Sequence, residues 1–385
     1  MAQILCRISS LNKHASLALS ILLLGVISIS VPANWQMIGG KKTPQPELIY
    51  PNGLALDDEG NLFISDIGSH QVLRLDRRGK LSVIAGTGDG GFGGDGEQAS
   101  KARLFAPHDL AFDDQGNLLI ADTYNQRIRR IDRNGIISTL AGNGQSSYSG
   151  DGGSALEASL NNPQSLAFDS KGALLIGDTY NHVVRRVDRN GKITTVAGTV
   201  PGYGGDGGAA NHAQINLTMA VAASTDGSFY ISDAANSRIR KVTTDGSIQT
   251  IAGFGPAQDT YGGGFAGDGG PPEKAKLFSA ADLKLDAAGR LYISDSGNHR
   301  IRVIDGGVIT TIAGSGRQGF AGDGKEAAKA ELNTPQKIAI ANDGSIFIAD
   351  RANHRVRKVD ARGVISTIAG TGKPAGMIYD PEIRN

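Results

Sequence analysis

The sequence has almost no cysteine. Its one cysteine, Cys6, precedes an apolar run near the N-terminus, within a segment that has the features of a removable signal. We therefore expect the mature chain to contain no thiol. This excludes disulfides, thiolate metal sites and a cysteine nucleophile from the functions considered below.

The chain also lacks an excess of either charge, and only 5% of its residues are aromatic. Without Arg7 and Lys13 of the N-terminal segment, 37 basic side chains stand against 38 acidic ones. A neutral surface with few aromatic rings does not attract a phosphate backbone or stack on bases. We expect no nucleic-acid partner and no membrane contact beyond the N-terminal segment.

One long apolar run is present, from Ala15 to Val31, between a basic start and the small residue Ala33. This order is typical of a secretory signal peptide over residues 1–33. An uncleaved anchor is the alternative, because the run approaches the ~18 residues that span a bilayer. Serine and glycine within the run favour cleavage. Either form predicts an exported protein, periplasmic or extracellular.

The rest of the chain repeats itself. The stretch IADTYNQRIRRID at 120–132 returns in altered form, and one aspartate of it can be followed through six copies. These aspartates are Asp66, Asp122, Asp178, Asp233, Asp295 and Asp350. Self-similarity at intervals of 55 to 62 residues indicates one supersecondary unit stacked on itself, and not several unrelated domains.

Each copy has the pattern of a four-stranded antiparallel sheet. In the second copy, short Leu- and Ile-rich runs alternate with the turns DQGN, TYNQ and RNG. Six such sheets bury both of their faces if they close into a ring. The alternative, a linear solenoid, would need polar caps at its ends, and no atypical capping copy is visible. We therefore predict an all-β fold, a six-bladed β-propeller with four antiparallel strands per blade, over residues 51–370.

The flanking residues complete this domain prediction. Residues 34–50 are expected to close the ring, with QMIGG at 36–40 paired along the outer edge of the last blade. Residues 371–385 form a C-terminal tail. We expect a monomer.

The repeat resembles the NHL repeat, in its Asp-x-x-Asn-His-Arg-Ile-Arg-Lys-Val-Asp segment and in its closing Ser/Thr-Thr-Ile/Val-Ala-Gly. The resemblance covers residues 51–370 and implies the propeller fold. NHL proteins include protein-binding and RNA-binding platforms, extracellular sensor and adhesion domains, and one class of amidating lyases. The fold alone does not choose among these functions.

The lyase resemblance implies zinc-binding histidines around the central cavity. Here His108 is the only histidine at the expected inner position. One imidazole does not make a catalytic zinc site, which needs three protein ligands. We therefore expect no zinc.

Five links between copies contain Gly-Asp-Gly followed by an Ala-rich stretch. The aspartates are Asp95, Asp151, Asp206, Asp268 and Asp323. As a ring of carboxylates they are candidate calcium ligands. The alternative is an ordinary helix N-cap, which the following alanines favour. No cofactor is expected, with calcium as the open possibility.

Two further repeated positions are interpreted as structural. An arginine follows the repeat aspartate by seven residues in every copy but the first, where Leu73 stands. Histidine occupies a turn position four residues after that aspartate in four copies, with Gln126 and Ser237 in the others. A group that hydrogen-bonds turn backbone or a neighbouring blade is expected in nearly every blade. A catalytic charge pair is needed only once in the molecule.

The mouth of the central channel is the better candidate site, because its residues differ from blade to blade. The innermost strands begin with Asn52, His108, Gln164, Met219, Ala281 and Gln336. The next positions are Gly53, Asp109, Ser165, Ala220, Asp282 and Lys337. We select Asn52, His108, Gln164, Asp282, Gln336 and Lys337 as binding candidates.

Two functions are therefore considered. The first is a non-catalytic exported scaffold that binds a protein, peptide or glycan on the face with the Gly-Asp-Gly links and histidine turns. The second is an exported lyase or hydrolase at the channel mouth, using His108, Asp109, Asp282 and Lys337 as an acid–base group.

Overall fold

The computed structural model describes residues 46–254 and 264–373, and two backbone strands before them, β1 (Trp35–Ile38) and β2 (Lys41–Pro44). Within residues 46–254 and 264–373, the chain forms six antiparallel sheets, each from consecutive strands. The fold is the predicted six-bladed β-propeller.

The strands of the first three blades begin and end as follows. The first blade contains β3 (Pro51–Leu56), β4 (Leu62–Asp66), β5 (Gln71–Leu75) and β6 (Leu81–Ala85). The second contains β7 (Pro107–Phe112), β8 (Leu118–Asp122), β9 (Arg127–Ile131) and β10 (Ile137–Ala141). The third contains β11 (Pro163–Phe168), β12 (Leu174–Asp178), β13 (Val183–Val187) and β14 (Ile193–Ala197).

The other three blades follow the same plan. The fourth contains β15 (Thr218–Ala223), β16 (Phe229–Asp233), β17 (Arg238–Val242) and β18 (Ile248–Ala252). The fifth contains β19 (Ala280–Leu285), β20 (Leu291–Asp295), β21 (Arg300–Asp305) and β22 (Val308–Ala313), and the short strand β23 (Lys325–Glu326) follows it. The sixth contains β24 (Pro335–Ile340), β25 (Ile346–Asp350), β26 (Arg355–Val359) and β27 (Val364–Ala369).

The hydrophobic core lies between neighbouring blades. Strand residues alternate between the two faces of a sheet, so each blade contributes side chains to the blade before it and the blade after it. Between the sixth and first blades, for example, Ala349 and Val356 pack with Leu54 and Ile64. This cluster joins the two ends of the repeat and closes the ring.

The links between blades run along the outer strand of the blade that follows. Short 3₁₀ turns form the Ala-rich parts, at Ala99–Lys101, Ala210–His212, Pro272–Lys274 and Ala327–Lys329. The prediction of an Asp N-cap is wrong, since Gln98 precedes the first of these turns and its side chain makes no capping bond. A link aspartate such as Asp95 lies beside the outer strand instead, where its carboxylate accepts a bond from Thr139.

The ring is not fastened in the predicted way. Strand β1 pairs with β2, and the outer edge of β27 is occupied by β23. Because each link pairs with the blade after it, the last link already pairs at Val364 and Ile365 with the edge at which we expected residues 36–40.

The turns between second and third strands lie on the same face as the links. A 3₁₀ turn such as Thr123–Asn125 ends in a residue with left-handed backbone, here Gln126 with φ of 54°. Residues without glycine's freedom occupy this strained position in every blade. The histidines and Gln126 at this position bond to the next blade through their side chains, as described below.

No helix in the described residues is long and apolar enough to cross a membrane. The predicted signal peptide, residues 1–33, lies outside the described residues. So does the C-terminal tail from residue 374 onward.

Candidate functional site

The predicted channel-mouth residues do surround the axis, but most of them are buried. Asn52, His108 and Gln164 are at most 7% exposed, while Met219 and Gln336 are half-buried. The Asn52 amide donates to the backbone oxygen of His108 in the next blade. Its Oδ1 atom is buried and has no hydrogen-bond partner among the described residues. The mouth is therefore lined largely by buried polar groups.

One level deeper, Lys337 crosses the axis. Its Nζ atom lies 3.4 Å from Asp282 Oδ1 and 3.7 Å from Asp109 Oδ2, and it donates to the backbone oxygen of Met219 at 3.0 Å. The two carboxylates also accept backbone N–H groups of the following blades, from Leu166 and Ile338. Lys337 thus links the sixth blade to the second, fourth and fifth.

A second lysine lies below this level. The third inner ring is Ala55, Ala111, Ala167, Ala222, Lys284 and Ala339. Burial alone would lower the pKa of Lys284, but Asp282 and Asp109 outweigh burial and raise it. Burial raises the pKa of Asp282, against the pull of Lys284 and Lys337. Two lysines and two aspartates therefore neutralise one another at the axis.

This arrangement limits the chemistry of the predicted acid–base group. Asp109, Asp282 and Lys337 are brought together at the axis. His108 lies on the ring above them, where its Nδ1 donates to the backbone oxygen of Ala106. Before this acid–base group could exchange a proton with a substrate, the Lys337 ammonium would have to move away from both carboxylates.

The Gly-Asp-Gly aspartates pair with the repeat arginines. Arg129 is fully buried and bonds Asp95 at 2.6 Å and Asp122 at 3.1 Å. The same three-residue contact recurs in the third to sixth blades. The interpretation of the arginines as structural is confirmed. The link aspartates are their partners and have a structural role as well.

These contacts leave no shared carboxylate cluster for calcium. Each link carboxylate faces a guanidinium on its own blade, about 2.7 Å away. The described residues contain no group of three or more His, Cys, Asp or Glu side chains that could hold a metal ion.

Asp122 is deeply buried, and burial raises its pKa to about 6 against the bonds from Phe105, Asn125 and Arg129.

The sequence carried a signal for this pairing. The first copy has Leu73 in place of arginine, and it is also the copy whose preceding segment has Gly39 where the links have aspartate. The two partners are lost together. In that blade Asp66 is satisfied without a cation, because the backbone N–H groups of Ile49, Tyr50, Gly68 and Ser69 all donate to it.

The turn histidines act between blades. His70, His182 and His299 each accept a backbone N–H of the next blade at Nδ1, from Ala106, Leu217 and Thr334. Gln126 does the same through Oε1 to Asn162. At the ring closure, His354 bonds the backbone oxygen of Ile49. Burial lowers the pKa of His70, His182 and His299, which matches an unprotonated acceptor.

A further repeated position was missed by sequence reasoning. An aromatic residue stands three positions before each link aspartate, at Phe92, Tyr148, Tyr203, Phe265 and Phe320. Each ring lies over a repeat arginine at about 5 Å and is partly exposed, and all of them except Tyr148 also lie against the arginine two residues earlier in the same strand. The constant spacing to Gly-Asp-Gly is the signal that identifies these rings.

Exposed apolar residues concentrate on the link face. In the described part of the chain, eight of the ten large exposed hydrophobic residues lie in second-to-third-strand turns or in the part of a link that precedes Gly-Asp-Gly, and the other two are Leu156 and Val308. They are Phe92, Tyr148, Tyr180, Val200, Tyr203, Phe254, Phe265 and Phe320.

The opposite face has a cleft at the junction of the sixth and first blades. It encloses roughly 820 Å³ over Leu62, Leu75 and Phe347, with Asp58 and Asp343 at its rim. It lies away from both the channel mouth and the links.

Comparison with known proteins identifies the family. The model of the teneurin NHL domain matches residues 87–149, 143–201, 209–305 and 311–377. The chain belongs to the teneurin NHL domain family. Mouse Teneurin-4 is 34% identical over 278 residues, which cover 64% of this chain and 10% of that protein. The chain thus spans about a tenth of the length of the teneurins it matches.

A plant protein and a solved bacterial structure are also similar to this chain. Protein SUPPRESSOR OF QUENCHING 1, chloroplastic, of Arabidopsis thaliana is 30% identical over 352 residues, 86% of this chain and 32% of its own. An auxiliary nutrient binding protein from Bacteroides ovatus superposes with a TM-score of 0.59 at 15% identity, over 83% of this chain and 70% of that one. At this identity the structural likeness shows the fold alone.

Proposed function

We propose that this NHL propeller is an exported, non-catalytic binding scaffold whose ligand docks on the link face. The observation that carries the proposal is the one-sided exposure of apolar side chains, eight of ten on that face in the described residues. Exposed apolar groups gathered on one surface mark interaction sites. Membership of the teneurin NHL family supports a protein-interaction role.

The centre of the ring supports a scaffold over an enzyme. The polar groups that could act on a substrate at the axis are engaged with one another, through Lys337, Asp109 and Asp282. An internal network of this kind fixes blades in place and leaves ligand contacts to the surface.

Single cysteine labels test which face binds. With Cys6 changed to serine, Gln145→Cys places the only thiol on the link over the third blade, and Lys171→Cys places it on the opposite face of the same blade. Both positions are exposed. Each protein is coupled to a bulky maleimide and used to capture partners from the envelope fraction of its source cells.

We expect the Gln145→Cys label to abolish capture and the Lys171→Cys label to leave it intact. Equal capture by both labelled proteins, or loss only with the Lys171→Cys label, would contradict the proposal. The unlabelled cysteine variants control for effects of substitution.

A further inference from the structure

Two consecutive links differ from the others in charge. Residues 143–162 contain only Asp151 and Glu157 as charged residues, and residues 199–217 contain only Asp206. The link at 87–106 has five charged residues and the link at 315–334 has six. Asp151 and Asp206 are moreover neutralised by buried arginines. The surface over the third and fourth blades is therefore almost without charge.

Three tyrosine rings stand on this surface. Tyr148 and Tyr180 are each 51% exposed and Tyr203 is 37% exposed. Tyr148 and Tyr203 are fixed in orientation, because each hydroxyl bonds a link aspartate and each ring covers a guanidinium. Because these two side chains are already held in place, ordering them costs little conformational entropy when a ligand binds. We call Tyr148, Tyr180, Val200 and Tyr203 the tyrosine sector.

The members of the sector adjoin one another. The Asn181 amide donates to the backbone oxygen of Ser147 at 2.9 Å, which ties the turn carrying Tyr180 to the link carrying Tyr148. On the other side, Gly198 packs on the backbone of His182, two residues before Val200. The link then reaches the fourth blade, where Gly202 accepts from Asn236.

Two of these residues break the repeat. Where Val200 stands, other links have Gly88, Gly144, Gly316 and Gly372. Where Tyr180 stands, other blades have Gly68, Tyr124, Ala235, Gly297 and Ala352. Tyr124 is the only other aromatic there, and it packs on Phe105 and lies near His108. Tyr180 has no such role in the described contacts, so the fold does not require an exposed ring at this position.

The groups between the rings are hydroxyls and amides. Ser146 and Asn161 bond each other at 2.7 Å, and Asn143 and Asn162 flank them. Hydroxyls and amides both donate and accept, so they match a ligand rich in hydroxyl groups. The negative face of an aromatic ring attracts the weakly positive C–H groups of a sugar. The lack of charge disfavours acidic and basic ligands alike.

We propose that the tyrosine sector is a binding site for a neutral glycan. This rests on the proposed function, because it places the ligand on the same face and names its class. Protein hot spots are enriched in tyrosine as well as in tryptophan and arginine, but they form contiguous packed clusters. A protein partner fits less well, because here polar groups separate the rings.

The test measures binding of neutral oligosaccharides to the purified protein by calorimetry. The probes are tetrasaccharides of glucose, mannose, galactose and N-acetylglucosamine, with a uronic acid tetramer as the acidic comparison. We expect at least one neutral probe to bind and the acidic one not to. Tyr180→Ala should weaken that binding about tenfold, because one stacking face is lost.

A matched pair of variants separates binding from folding. Tyr148→Ala and Phe320→Ala each uncover a repeat arginine, but only Tyr148 lies in the uncharged sector. We expect both variants to lose stability, with Tyr148→Ala also losing the hydroxyl bonds to Asp151 and Thr195, and only Tyr148→Ala to lose glycan binding. Equal loss of binding in the two variants would overturn the assignment.

The outcomes also separate this inference from the proposed function. If no neutral probe binds while the Gln145→Cys label still blocks capture, the face is right and its ligand is a protein, which overturns the glycan assignment. Preference for the acidic probe overturns it as well. If the label has no effect on capture, the proposed function fails first.

Discussion

Lys337 comes from the innermost strand of the sixth blade, and its ammonium contacts groups of the second, fourth and fifth. Its side chain is 4% exposed, and those of Asp109 and Asp282 are no more than 1% exposed. A buried charge is costly unless it is paired. The three side chains therefore depend on one another.

Replacing Lys337 by methionine should lower the free energy of unfolding by about 3 to 5 kcal/mol. The change leaves two buried carboxylates with Lys284 as their remaining cation. Urea denaturation measures the effect. Lys171→Met, at an exposed turn, is the control and should change stability by no more than about 0.5 kcal/mol. A loss below about 1 kcal/mol for Lys337→Met would show that the axis does not rely on this contact.

The sequence placed Asp109, Asp282 and Lys337 on one ring, because the repeat spacing fixes the position of each inner residue. It did not show their mutual contact. That depends on which way a long side chain turns at the axis, and Lys337 reaches past its neighbouring blades. The role of Asp95 was likewise missed, because helix capping was judged from the local sequence while its partner, Arg129, is 34 residues away.

At the level of the blade, the turn between the second and third strands is the connecting element. Its last residue bonds the blade that follows, by a histidine in three cases and by Gln126 in one. Only an unprotonated Nδ1 can accept these N–H groups. The contact between blades is therefore sensitive to pH.

Acidification should weaken these contacts. The pKa values of His70, His182 and His299 are lowered from 6.5 in the folded state, mainly by burial, so the unfolded chain takes up protons first as the pH falls. Their contribution to stability is present above pH 6.5 and is lost as the pH falls below it. The variant with all three histidines changed to glutamine should fold and lack this contribution, because Gln126 already makes the same bond.

The measurement is urea denaturation of both proteins between pH 7.5 and 5. Taking the difference between them cancels the titration of aspartates such as Asp122, whose pKa is raised to about 6. We expect wild type to lose stability relative to the triple variant as the pH falls. A difference that stays constant with pH would mean that the histidines are not acceptors in solution.

For the whole molecule, the sequence predicted the architecture because the repeat sets both the number of blades and the order of strands. The closure was predicted less well. Residues 36–40 resemble an outer strand. However, each link pairs with the outer strand of the blade that follows it, and β23 pairs with the edge of β27. Packing of Leu54 and Ile64 against Ala349 and Val356 joins first and last blades instead.

The whole propeller also presents two competing surfaces, the link face and the cleft at the junction of the sixth and first blades. The link face has the exposed aromatic rings. The cleft has an apolar floor with Phe347 and an acidic rim. A ligand on one of them leaves the other open to solvent.

Hydroxyl-radical footprinting of the protein with and without its captured ligand distinguishes the two surfaces, because aromatic rings react readily and both surfaces carry them. We expect the ligand to protect Tyr148, Tyr180 and Tyr203 and to leave Phe347 unchanged. Protection of Phe347 with unchanged Tyr180 would contradict binding at the link face.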